Sequence, residues 1–125
     1  MSQITNNNLK IGLDNPPFII AEMSGNHNQS LDRALEIVVA AAASGAHALK
    51  LQTYTANTIT LDIKKDEFFI SDKKNLWKGM SLYELYDQAH TPWEWHKPIM
   101  LKAKELGMLC FSSPFDNSAV NFLEE

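Results

Sequence analysis

Three short apolar runs in this chain each turn polar at their C-terminal end. Phe18-Ile19-Ile20-Ala21 leads into Glu22, Ala48-Leu49 into Lys50 and Gln52, and Leu109-Cys110-Phe111 into Ser112 and Ser113. An acid, an ammonium, an amide and hydroxyls are groups that hold a phosphorylated or polyhydroxylated ligand and move its protons. A carboxylate such as Glu22 can orient hydroxyls or take a proton. Lys50 interrupts Ala48-Leu49-Lys50-Leu51, where an unpaired buried ammonium is costly. It suits a phosphate as a point charge, or a Schiff base if burial lowers its pKa. A strand's period of two puts Gln52 on the face of Lys50, where its amide can meet a hydroxyl or carbonyl. Ser112-Ser113-Pro114-Phe115-Asp116 joins a strand to a helix, and hydroxyls and amides at a helix start suit a phosphate or carboxylate. Plainer readings stand beside these: a Glu22–Lys50 ion pair, and serines that only cap a helix.

His27, in the polar loop after Glu22, is a further candidate ligand group if that loop faces the site, and a surface histidine otherwise. His90 and His96 are six apart, which points them to different sides of a helix, and metal-pair spacings such as i, i+4 are absent. No metal site is expected within this chain. Trp93 and Trp95 are read as packing residues rather than as a platform for a sugar.

These groups need a scaffold that brings distant strand ends together. Strands are expected at about residues 18–23, 47–52 and 108–112, and a short one at Leu9-Lys10-Ile11-Gly12 after a polar tail. Ser30 is placed to cap a helix, with Asp32 in its first turn. Leu31, Ala34, Leu35, Val38 and Ala42 fall at the spacing of one buried helical face, and Gly45 ends it. Residues 54–80 show no clean period and read as an excursion over the strand ends. Ser81-Leu82-Tyr83-Glu84 carries a capping box. Thr91-Pro92-Trp93-Glu94 reads as a Thr-capped helix start with Pro at the first position, and Pro98 is expected to kink it or break its first turn. Asp116 or Asn117 caps a last helix.

Strands alternating with helices, and near-continuous apolar strands, specify an α/β fold with a parallel sheet. In such sheets ligands sit at the C-terminal ends of the strands. The pattern alone does not separate an eight-strand barrel, roughly 250 residues long, from an open doubly wound sheet. The 125 residues form one domain by length. Because Phe122-Leu123-Glu124-Glu125 ends the sequence inside a helix with no stop signal, the chain is expected to be the N-terminal piece of a longer one.

Net charge is −4 with no basic run, which argues against a nucleic-acid partner. The longest aliphatic run, Ile37 to Ala43, falls far below the ~20 residues a membrane span needs. The polar N-terminus lacks a signal-peptide pattern. The single Cys110 reads as a small core residue in a cytoplasmic protein.

Several segments carry a resemblance. Glu22-Met23-Ser24-Gly25-Asn26-His27-Asn28, Lys50-Leu51-Gln52-Thr53-Tyr54-Thr55, Ser81-Leu82-Tyr83-Glu84, His90-Thr91-Pro92-Trp93-Glu94-Trp95-His96 and Phe111-Ser112-Ser113-Pro114-Phe115-Asp116 resemble the N-terminal half of the sialic acid synthase barrel. That family includes synthases of N-acetylneuraminate, legionaminic acid and pseudaminic acid, and the spelling is most similar to the pseudaminic branch. The resemblance implies the first three or so β-α units of a (β/α)8 TIM barrel. It implies an enzyme condensing phosphoenolpyruvate with an open-chain acetamido sugar to a nine-carbon keto acid and phosphate. A divalent metal, manganese or magnesium, would polarise the sugar aldehyde.

By resemblance Lys50 lies on the phosphate of phosphoenolpyruvate, which disfavours the Schiff base. Ser113 stands at a hydroxyl position on the same ligand, and Glu22 and Gln52 match residues facing the sugar. Two departures, at Glu22–Gln29 and at Asn75-Leu76-Trp77-Lys78-Gly79, weigh against N-acetylmannosamine and fit a 6-deoxy diacetamido sugar of altrose type. The family's metal-binding histidines come from later strands. Its C-terminal antifreeze-like domain lends an arginine to the partner's site in a homodimer. Neither lies within these residues, so the chain alone is expected to be inactive. The rivals are a sister synthase for N-acetylneuraminate or legionaminic acid, and a non-catalytic sugar- or phosphate-binding α/β module.

Overall fold

The structure, a computed structural model, describes residues 4–6 and 9–125. Its centre is a parallel three-stranded sheet of β3 (Ile20–Glu22), β4 (Ala48–Thr53) and β5 (Leu109–Pro114), in that order. The register pairs Glu22 with Lys50 and Gln52 with Ser113. A small antiparallel pair, β1 (Ile4–Asn6) and β2 (Leu9–Ile11), precedes it. β2 falls where a strand was expected. β1 lies in what reads as polar tail, whose residues 1–3 and 7–8 are outside the described residues.

The helices follow their capping chemistry. α1 (Leu31–Ala43) starts where the Ser30 hydroxyl accepts from the Arg33 amide, and Gly45 follows it at φ +85°, a conformation that costs glycine little. After β4 the chain makes the short α2 (Ala56–Ile59) and then one turn of 3₁₀ helix at Asp66–Phe68. The excursion closes on itself: the amides of Ile70 and Gly79 donate to the Met80 and Ile70 carbonyls, both at 2.9 Å. α3 (Leu82–Ala89) begins with the expected capping box, Ser81 and Glu84 bonding reciprocally. Asp116 caps α5 (Asn117–Glu124), its carboxylate accepting from Ser118 and Ala119.

The expected helix start at Thr91 is corrected. Residues Trp93–Trp95 form a 3₁₀ turn, and α4 spans His96–Glu105. The Thr91 hydroxyl is buried against His27 rather than spent on a cap. Pro98 falls in the first turn of α4, where a missing N–H costs no intrahelical bond.

Alternation along β4 divides the molecule. Leu49, Leu51 and Thr53 are fully buried, while Lys50 and Gln52 between them are only partly covered. The leucines join Met23, Val38, Ile99, Ala103 and Met108 in a core between the sheet and α1 and α4. The opposite sheet face is open: Ile20 and Phe111, in register with Ala48 and Lys50, are 43% and 40% exposed. The largest buried apolar cluster among the described residues lies on the α1 and α4 side of the sheet. Leu49→Ala should cost about 2–5 kcal/mol, read as a lower urea midpoint. Loss of less than 1 kcal/mol, roughly the scale of a surface change, would mean that this face is not the packed one.

Candidate active site

Glu22, Lys50, Gln52 and Ser113 lie at the C-terminal ends of three adjacent strands and share the open face. Lys50 Nζ sits 2.5 Å from Glu22 Oε1, with 28% and 48% of the two side chains exposed. So the ion pair exists, but in a half-solvated place where such pairs contribute about 0–1 kcal/mol. It leaves the ammonium reachable from solvent. Ser113 is partly buried beside Gln52, one residue before Pro114 and three before the α5 cap.

Ser112 is not part of this group. It projects to the core side, opposite Ser113, and its hydroxyl lies 2.6 Å from Thr53 Oγ1, which in turn lies 2.7 Å from His96 Nε2. The other His96 nitrogen, Nδ1, is buried without a hydrogen-bond partner among the described residues. Thr53 Oγ1 thus sits between Ser112 and His96 in one buried hydrogen-bonded chain. The buried chain fastens the ends of β4 and β5 to α4 directly behind Gln52 and Ser113. The period of two that pairs Gln52 with Lys50 also separates Ser112 from Ser113, so the sequence held this signal.

His27 is wholly buried and does not reach the open face. Its Nδ1 accepts from the Gln29 amide at 3.2 Å, so Nε2 carries the proton and donates to Thr91 Oγ1 at 3.2 Å. Trp95 packs edge-on against its ring at 5.4 Å. His27 therefore ties the first loop to the 3₁₀ turn ahead of α4. The two other tryptophan expectations also resolve as packing: Trp93 lies against Phe122 at 4.8 Å and donates to the Tyr54 carbonyl, and Trp95 packs on the core.

The loop itself, Ser24 to Gln29, is held in an uncommon shape. Ser24, Asn28 and Gln29 all have φ near +50°, a region that disfavours residues other than glycine and asparagine. Several contacts hold it there. Gln29 Nε2 donates to the Gln88 and His90 carbonyls at 2.6 and 2.9 Å, and Arg33 Nε donates to the Asn26 carbonyl at 2.9 Å. Gly25 approaches α3 so closely that a Cβ there would meet the Ala89 carbonyl at 2.8 Å. Between this loop and α3 lies a cleft of about 350 Å³ that shares Gln52 with the strand-end group and has Trp77 and Tyr86 in its walls. The cleft is invisible in the sequence, because its walls are brought together by hydrogen bonds across more than fifty residues.

Burial holds several groups away from their ordinary pKa. It lowers those of His96 and His27, His27 with a smaller contribution from His90. It pushes Tyr54 up to about 12, helped by Tyr86, and Cys110 up to about 11. Among the described residues no group of three or more His, Cys, Asp or Glu side chains is placed to hold a metal ion. No helix among them is long and apolar enough to cross a membrane.

Comparison with known proteins agrees with this architecture. The fold is like that of the N-terminal portion of a sialic acid synthase. The N-acetylneuraminic acid synthetase of Leptospira borgpetersenii serovar Hardjo-bovis, solved in complex with citrate, superposes at TM-score 0.79 and 28% identity, over 98% of this chain and 38% of that one. The spore coat polysaccharide biosynthesis protein SpsE of Bacillus subtilis superposes at 0.66 and 28% identity, over 98% of this chain and 30% of that one. The chain belongs to the NeuB family, whose model matches residues 37–125. It is 50% identical over 111 residues to the pseudaminic acid synthase of Campylobacter jejuni subsp. jejuni serotype O:2, covering 89% of this chain. It is 48% identical over 109 residues to that of Helicobacter pylori, covering 87% of this chain. It spans 32% of the length of each of these two relatives.

Burial disfavours the charged form of both histidines in the folded protein. Their folded pKa values lie below the ordinary value of about 6.5, so the stability they contribute is full above that pH and is lost as pH falls towards the folded values. The urea midpoint should therefore drop between about pH 7 and pH 5, and His96→Gln should flatten that drop. A midpoint that holds constant over this window in the unsubstituted protein would contradict the assignment.

Proposed function

We propose that this chain supplies the phosphoenolpyruvate-binding surface, and part of the sugar-binding surface, of a cytoplasmic pseudaminic acid synthase. The carrying observation is the convergence of Lys50, Glu22, Gln52 and Ser113 on one open sheet face in a NeuB-family chain. Identity of 48–50% to curated pseudaminic acid synthases, against 36% to a curated N,N'-diacetyllegionaminic acid synthase, favours a 2,4-diacetamido-2,4,6-trideoxy-altrose as the sugar. In the reaction, C3 of phosphoenolpyruvate bonds to the aldehyde carbon of the open-chain sugar. Water supplies the new oxygen at C2, and phosphate leaves.

In this reading Lys50 holds the phosphate of phosphoenolpyruvate as a point charge. Glu22, relieved of its ion pair when the phosphate takes the ammonium, accepts from a sugar hydroxyl or carries a proton. The Gln52 amide meets a sugar hydroxyl or carbonyl, and the Ser113 hydroxyl meets phosphoenolpyruvate beside the start of α5. His27 acts at one remove, by fixing the loop that borders the cleft. The resemblance also implies manganese or magnesium and a homodimer. The described residues lack the donor set such an ion needs, and no step here depends on one.

Phosphate release from phosphoenolpyruvate by the complete protein tests the reading, with manganese present and two sugars side by side. Release is expected with the diacetamido altrose and not with N-acetylmannosamine. Release with N-acetylmannosamine alone would keep the family and remove the sugar assignment. Silence with both, and with the legionaminic precursor, would favour a binding module. In the same assay Lys50→Met should raise the KM for phosphoenolpyruvate roughly 10- to 100-fold, the scale of a lost charged hydrogen bond; an unchanged KM would remove Lys50 from the phosphate.

A further inference from the structure

The hydrogen-bonded chain behind the strand ends is more polar than a core needs. Thr53 is wholly buried and His96 is 2% exposed, yet Thr53 Oγ1 lies 2.6 Å from Ser112 Oγ and 2.7 Å from His96 Nε2. Apolar groups of the same shape would hold the sheet about as well, since such a swap at a buried bonded pair is close to neutral. His96 Nδ1, left without a partner among the described residues, lowers stability further. Beyond stability, hydrogen bonds supply direction: they fix distance and angle, where apolar contact is non-directional. A polar cluster kept in a core at such a cost calls for a reason.

The place of the chain in the fold supplies one. Ser112 precedes Ser113 and Pro114 follows it. A proline confines the residue before it to extended backbone, and Ser112 is tied to β4 through its hydroxyl. Ser113 is thus held from both sides. The far anchor is firm. His96 opens α4, whose Ile99 and Ala103 are fully buried, and its ring meets Phe122 of α5 edge-on at 5.3 Å. Trp93, in the turn before α4, donates its indole N–H to the Tyr54 carbonyl at 3.2 Å. The start of α4 therefore grips the end of β4 at two successive residues, Thr53 and Tyr54, and reaches β5 through Thr53. The Phe115 amide adds a backbone bond here, to the Thr53 carbonyl at 3.2 Å.

We propose that Thr53, Ser112 and His96 are positioning residues, whose buried hydrogen bonds aim the Ser113 hydroxyl at the phosphorylated co-substrate. All three lie on the core side of the sheet, so they act through Ser113 and not on the ligand. Lys50 attracts a phosphate by charge, which falls off gently with distance. A hydroxyl bonds only within a narrow range of distance and angle, so Ser113 depends on its placement. The proposal rests on reading Ser113 as a phosphoenolpyruvate contact, and its test separates the two.

The test is calorimetric titration of the complete protein with phosphoenolpyruvate in four forms: unsubstituted, Thr53→Val, Ser113→Ala and both together. Thr53→Val removes the hydroxyl and keeps the branched shape; it should weaken phosphoenolpyruvate roughly fivefold to tenfold, the scale of one lost hydrogen bond. Thr53→Ser, which retains the hydroxyl, should return the affinity to within about twofold. In the Ser113→Ala background Thr53→Val should change it by less than about twofold, because the group it aims is gone. A general loosening of the fold would weaken binding by the same factor in both backgrounds. That result, an unchanged affinity in Thr53→Val, or a Thr53→Ser as weak as Thr53→Val would overturn the proposal and leave Ser113 on the ligand. An unchanged affinity in Ser113→Ala, or no binding by the unsubstituted protein, would remove the phosphoenolpyruvate contact and the proposal with it. If Thr53→Val does not fold, Ser112→Ala breaks the same chain from a half-buried position and takes its place in the cycle.

Discussion

Everything in this molecule hangs on the alternation of β4. Six residues send Leu49, Leu51 and Thr53 one way and Ala48, Lys50 and Gln52 the other. The first set builds the core with α1 and α4 and fixes the strand in place. Lys50 and Gln52 can then be polar, because the burial of Leu49 and Leu51 anchors the strand. A register slip of one residue would bury the ammonium and expose the leucines, so the same hydrophobic force that folds the sheet also aims its functional groups.

The parts close to the strand ends were readable from the sequence because they obey local rules. Ser30, Ser81 and Asp116 cap helices by their own side chains, and the apolar runs mark the strands to within a residue or two. Where long-range contacts compete with local ones, the local signal misleads. Thr91 carries every feature of a cap, yet its hydroxyl bonds His27, 64 residues away, and the helix begins only at His96. β1 pairs three residues whose composition reads as tail. The cleft's walls could not be read from local pattern: residues 54–80 read only as an excursion, and the Ile70–Met80 closure is what brings Trp77 to the cleft that α3 also lines.

The first loop shows how a shape that local preferences disfavour is made to persist. Three residues at positive φ each cost something relative to an ordinary loop. Against that stand a buried histidine with both nitrogens bonded, a glutamine bridging to two carbonyls, and a glycine whose missing side chain admits α3. The loop is thereby a rigid border to the cleft, while the facing wall at Trp77 is held by fewer bonds and stands half in solvent.

The core-facing side of β5 has one chemical consequence. Cys110 lies there, packed on the core, and burial raises its thiol to about 11. That disfavours the thiolate, the form that reacts with alkylating reagents and oxidants. In this part of the protein a cysteine introduced on the open face would be the one that reacts with a maleimide. A fluorophore or spin label could then be set beside the substrate groups with the native cysteine left in place.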